Sequence, residues 1–305
     1  MRPEEDVLVV WPPAPPPRRP VWVPPSTRDL VRHGILLALT VATTTAAGAR
    51  WEGVDLRGGL HALAKGLPFS LTLLAILGCH ESGHWLMCRR HRVAASLPWF
   101  LPAPPTIFPL GTFGAFIRIR ARFPDRRALF DIGAAGPWAG FVVALVAVAV
   151  GLRLSTVMPE PMVGGVVELG DSLVTAGLTR LLLDADPSRV VLHPIAFAGW
   201  IGMLITSLNL LPAGQLDGGH VLYAAFRRRL RFVPVVLVAV LAWLGARGWP
   251  GWILWALILL LMMRLGHPPT IDDERPLGAR RVVGAAATLL LFVATFVPEP
   301  FRILP

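Results

Sequence analysis

Charge is scarce in this chain of 305 residues. Only 16% of the residues are charged while 54% are hydrophobic, and the mean hydropathy is +0.60. A soluble domain carries about 25% charged residues, so the composition excludes an ordinary soluble globular protein and indicates an integral membrane protein. Lysine is almost missing. The net charge of +10 comes from basic residues that are nearly all arginine and that cluster between apolar runs. Cytoplasmic loops show that pattern, and with no soluble basic domain to carry it, nucleic-acid binding is excluded. Cysteine is limited to Cys79 and Cys88. Nine residues apart in one helical stretch, they point in different directions and cannot pair, so no disulfide framework exists and both read as small apolar fillers. A cleavable signal peptide is not expected, because the first apolar run begins late and lacks a cleavage site.

What is present is a series of apolar runs. Candidate membrane spans fall at 30–48, 68–88, 131–151, 193–212, 233–246, 249–265 and 280–297. The expected class is therefore an all-α polytopic membrane protein of about seven transmembrane helices, with six to eight allowed. The short fifth run and the sixth are separated only by a turn near Gly248, so a re-entrant pair is the alternative there. Arginines crowd the N-terminal tail and the second, fourth and sixth loops, whereas 153–192 is acidic. The positive-inside rule then places the N-terminus in the cytoplasm and the C-terminus outside.

Three stretches depart from this pattern. Residues 1–28 hold WPPAPPPRRPVWVPPS, expected to be a disordered proline-rich cytoplasmic tail. Residues 96–120 are apolar but broken by Pro98, Pro102, Pro104, Pro105 and Pro109, which rules out a continuous helix. Alternation from Phe113 to Arg120 predicts a small membrane-associated β-hairpin or looped strand. Irregular backbone survives at that depth only beside protein or a watery cavity, so it should border a functional site. The stretch DSLVTAGLTRLLLD in the acidic loop is expected as an amphipathic helix lying on the membrane surface.

The chemistry centres on GCHESGHWLMCRRH at 78–91. His80 and His84 are four apart and share one face of a helix, so both imidazoles can bind one metal. Glu81 lies one step round and is placed to act on a water as general base. A catalytic zinc needs three protein ligands and an open position. Asp217, in NLLPAGQLDGGH, is the carboxylate at the end of a span on the matching side, and His220 is a competing ligand. Asn209 can donate to an oxyanion or tie two helices together. Gly136 and Gly140 make a small-xxx-small surface for helix packing.

The set HESGH, GTFGAF, AAGPWAGF and NLLPAGQLDGG resembles the site-2 protease family of intramembrane zinc metalloproteases (M50-type). It is most similar to the branch without PDZ domains that bacteria and chloroplasts share. The resemblance implies one Zn2+ per chain held by His80, His84 and Asp217, with Glu81 as base and Asn209 near the scissile carbonyl. It further implies hydrolysis of peptide bonds in or near transmembrane segments of membrane-protein substrates, in a lipid bilayer. The expected layout is the tail at 1–28, a single polytopic metalloprotease domain at 29–297 with its catalytic core at about 68–225, and a short C-terminal tail at 298–305. The expected location is a bacterial cytoplasmic (inner) membrane, with the site toward the cytoplasm. The alternatives are a metal-binding membrane transporter or sensor and a non-catalytic binder of membrane helices.

Overall fold

The computed structural model describes residues 24–55, 58–159, 167–227, 229–265 and 269–303. The proline-rich tract 1–23 lies outside them, as does Arg228 of the fourth loop. The first helix, α1 (Thr27–Trp51), starts one residue before the expected end of the tail at 28. A capping box starts it there: Asp29 N–H donates to Ser26 Oγ and Ser26 N–H donates to the Asp29 carboxylate, both at 3.2 Å. A short α2 (Gly59–Ala64) follows, then α3 (Leu67–Arg90), which opens with Pro68 in its first turn. Two strands, β1 (Trp99–Pro102) and β2 (Thr112–Phe116), pair antiparallel. Next come α4 (Arg126–Arg153), β3 (Thr156–Val157), β4 (Val167–Leu169), α5 (Leu173–Leu183) and β5 (Val190–Val191). The chain continues through α6 (Pro194–Asn209), α7 (Asp217–Phe226), α8 (Val233–Arg247), α9 (Gly251–Leu265) and α10 (Ala279–Thr295) to β6 (Phe301–Ile303).

Helices α1, α3, α4, α6, α8, α9 and α10 coincide in sequence with the seven apolar runs, and contacts between distant segments gather at two ends. One end gathers the loop before α4, the end of α7 and the segment before α10. There Arg275 Nη1 meets Asp125 Oδ2 at 2.6 Å, Arg126 donates to Ala224 O at 3.0 Å and Tyr223 Oη donates to Asp273 at 3.1 Å. The other end gathers the acidic loop, the α8–α9 turn and the C-terminus, with Trp200 Nε1 donating to Gly170 O at 2.8 Å and Trp252 Nε1 to Pro298 O at 2.7 Å. Among the described residues, α1 and α4 are long and apolar enough to cross a membrane, while α6, α8 and α9 are apolar but shorter. The molecule is thus mostly helical with few strands, as expected.

Two details differ from the sequence reading. The fourth span stops at Asn209, and Asp217 begins a separate helix, because Pro212 has no N–H and bars its predecessor from helical geometry. Strand structure is not confined to one hairpin: β3 pairs with β5, and β4 pairs with β6, so the C-terminal tail folds back onto the acidic loop. Helix α5 forms in the stretch expected to be an amphipathic helix. Val174, Leu178 and Leu182 pack it onto the cluster formed by Ala144, Val148 and Leu152 of α4.

Helices α3, α4 and α6 form the centre. Leu73, Leu77, Phe197, Ala198 and Ile201 make one buried cluster between α3 and α6, and Ile76, Ala144, Val148 and Met203 make the next. The β1–β2 hairpin runs along α1, from the contact of His33 Nε2 with Leu97 O at 3.3 Å to the bond from Trp51 Nε1 to Pro109 O at 3.1 Å. Eighteen residues of helix separate those anchors, so the irregular segment covers about 27 Å of the bundle's depth.

Candidate metal centre

Helix α3 carries His80 and His84 one turn apart, with Nε2 atoms 3.1 Å from each other. The Asp217 carboxylate reaches them from the first residue of α7, its Oδ2 lying 3.3 Å from both nitrogens. The turn that delivers Asp217 needs glycine beside it, since a Cβ at Gly218 would overlap Leu210 O. His80, Glu81 and His84 are only 4%, 7% and 7% exposed. Glu81 Oε1 is 4.0 Å from His80 Nε2 and its carboxylate accepts from the backbone N–H of Ile117, just beyond β2. Asn209, at the last turn of α6, has Nδ2 3.4 Å from His80 Nε2.

The donor set fits a divalent cation. His84 Nδ1 lies 2.7 Å from Ile132 O and donates its proton there, so the neutral ring presents a lone pair at Nε2. That lone pair faces a second imidazole nitrogen and a carboxylate, three acceptors converging with positive charge needed between them. An orienting carbonyl behind a ligand imidazole is the usual support for a metal-bound histidine.

The cavity around this cluster measures about 270 Å3 and is lined by Ala115, Phe116, Ile117, Gly133, Gln215 and His220 besides the cluster itself. His220 packs its ring on Phe123, centroids 5.6 Å apart, and it is Asp217 that meets both imidazoles. Sequence reasoning missed three contributors. The Ile132 carbonyl and Ile117 N–H are backbone groups and leave no trace in residue type. In sequence Gly136 shows only a packing surface. A Cβ there would overlap the His84 imidazole, so this glycine gives the ring its space.

A buried pair of imidazoles on one helix, a neighbouring glutamate and a carboxylate from a distant helix make a candidate metal centre on a helical scaffold, in the residue pattern of metal-dependent hydrolases. Residues 68–244 match the model of peptidase family M50, and the chain belongs to that family. It is 33% identical over 254 residues to "Probable zinc metalloprotease EGY1, chloroplastic" of Oryza sativa subsp. japonica, covering 80% of this chain and 42% of that protein. The Arabidopsis thaliana protein of the same name is 33% identical over 242 residues, 76% of this chain and 43% of its own length. "Probable zinc metalloprotease EGY2, chloroplastic" of Arabidopsis thaliana is 35% identical over 176 residues, 56% of this chain and 30% of its own. The chain therefore spans less than half the length of these relatives. No solved structure matches it.

Proposed function

We propose that this protein is a membrane-embedded zinc metalloprotease that cleaves peptide bonds in or near the transmembrane segments of other membrane proteins. The observation that carries the reading is the convergence of Asp217 on His80 and His84 beside Glu81, from two segments far apart in the chain. His80, His84 and Asp217 hold one Zn2+. When bound, zinc supplies Lewis acidity, lowering the pKa of water toward about 7 and polarising a peptide carbonyl. Glu81 takes the proton of the attacking water on its carboxylate and returns it to the leaving amine nitrogen. The Ile117 N–H holds that carboxylate in place. Asn209 donates its amide N–H to the carbonyl oxygen as charge develops there.

A peptide inside a helix has its carbonyls hydrogen-bonded and must unwind before attack. The edge of β2 supports an extended substrate. Arg120 N–H donates to Ala94 O and Arg118 N–H to Ser96 Oγ, which turns the alternate residues Ala115 and Ile117 toward the cavity. A strand added there lies across Glu81.

In this reading residues 29–297 form one membrane domain with seven spans, catalytic at about 68–225; the coincidence of seven helices with the seven apolar runs supports it. Arginine-rich loops lie at the site end, which then faces the cytoplasm of a bacterial inner membrane. Glu81→Gln retains zinc and loses cleavage of a reconstituted single-span substrate by at least about 100-fold. Cleavage at the wild-type rate in that variant would overturn the mechanism.

A further inference from the structure

At the end remote from the metal-binding cluster, a cavity of about 240 Å3 opens between α1, α3, α5 and α6. Aromatic rings form one wall. Trp51 meets Phe197 edge-on at 5.0 Å, Phe69 stacks on Phe197 at 5.5 Å, and Phe197 stacks on Trp200 at 6.4 Å. Glu52, Glu168 and Asp171 supply the opposite character. Arg302 approaches Glu168 to 3.8 Å and Thr175 Oγ1 donates to Asp171 at 2.9 Å, while Glu52 makes no ion pair among the described residues. Burial, with the charges of Asp186 and Glu168 behind it, holds the Asp171 carboxyl above its ordinary pKa, against the lowering effect of the Thr175 hydrogen bond and, less, of Arg180. The cavity thus combines under-compensated negative charge with ring faces that attract cations.

We propose that this cavity receives a basic side chain, the guanidinium of an arginine or the ammonium of a lysine, from the segment of a membrane substrate that emerges on this face. The proposal rests on the protease reading above. Guanidinium suits the site best, because it stacks on aromatic faces and bonds carboxylates through a planar fork. Phe69 borders the cavity and His80 follows eleven residues later on α3, which separates the two sites by about 16 Å along the helix. A substrate covers that distance with about eleven helical residues or about five extended ones. The basic residue therefore lies roughly five to eleven positions from the cleaved bond. Outer flanks of membrane proteins are poor in arginine and lysine, so such a pocket separates substrates from the bulk of single-span proteins.

The test uses the full chain in nanodiscs with zinc bound. Ligand-observed NMR compares N-acetyl-arginine amide with its neutral isostere N-acetyl-citrulline amide. Saturable binding is expected for the arginine compound alone, with Kd about 1 mM, weakened at least tenfold in Glu52→Gln/Asp171→Asn and in Trp51→Leu. Equal binding of citrulline, no saturation, or unchanged affinity in the variants overturns the proposal. A second arm measures cleavage of single-span peptides with arginine or glutamine at the stated positions. KM should rise several-fold for glutamine at unchanged kcat, and the difference should vanish in Glu52→Gln/Asp171→Asn; its persistence overturns the peptide source. Absence of all cleavage would sink the protease reading and leave the NMR arm standing, whereas intact cleavage without arginine binding sinks the pocket alone.

Discussion

His84 is held from three directions: Ile132 O at Nδ1, His80 and Asp217 at Nε2, and the bare backbone of Gly136 beneath the ring. Each constraint makes a separate prediction. Gly136→Ala pushes the imidazole out of line, and zinc content measured by mass spectrometry should fall to a small fraction of one per chain while the helical circular dichroism persists. Asp217→Ala should likewise lose zinc, and unchanged stoichiometry would shift the third ligand to His220. Asn209→Ala should keep zinc and lower kcat by about 10²–10³-fold. Zinc loss in that variant would make Asn209 a support for His80 instead. Asn209 is the chain's single asparagine and Gln215 its single glutamine, and both line the cavity. That concentration of amides around one aspartate is a compositional signal that motif reading passes over.

At the scale of elements, α10 lies outside the stretch matched to the family yet is fastened to the site-bearing helices. Arg281 donates to both oxygens of Asp131 at 2.8 Å, His91 shares the same carboxylate at 2.8 Å, and Trp138 Nε1 donates to Thr288 Oγ1 at 3.0 Å. A bidentate pair of this kind fixes orientation as well as distance. Because the arginine is partly open to its surroundings, Arg281→Ala should cost only about 1 kcal/mol, read as a lower thermal midpoint in detergent. A midpoint equal to wild type would show that packing alone seats the helix. The hairpin is the other instructive element. Its prolines and alternation announced a strand beside a site, but the anchors at His33 and Trp51 that stretch it along α1 involve backbone carbonyls of distant residues.

For the whole molecule, the two ends differ in charge and in what they hold. The site end carries the arginine loops and the His80–His84–Asp217 cluster, and the other carries the acidic loop, the C-terminal strand and the aromatic cavity. With Cys79 and Cys88 replaced, a cysteine at Leu181, which is 80% exposed, and one at Arg229 should react with an impermeant thiol reagent from opposite sides of the membrane. Labelling of both from one side would reduce the number of spans and remove the sidedness assigned here.

Hydropathy and local spacing determined a good deal without coordinates. Apolar runs mark where the helices lie, because a helix facing lipid or core must be apolar along its own length. The i, i+4 spacing puts two imidazoles on one face, because that relation is set by helical pitch alone. Neither source of information reaches across the chain. That α6 ends at Asn209 and α7 begins at Asp217, that Asp217 lies 3.3 Å from both imidazoles, and that β6 closes the far end are decided by packing of distant segments. Backbone carbonyls, amide N–H groups and the empty side of a glycine complete the cluster, and these have no side-chain identity for a sequence to display.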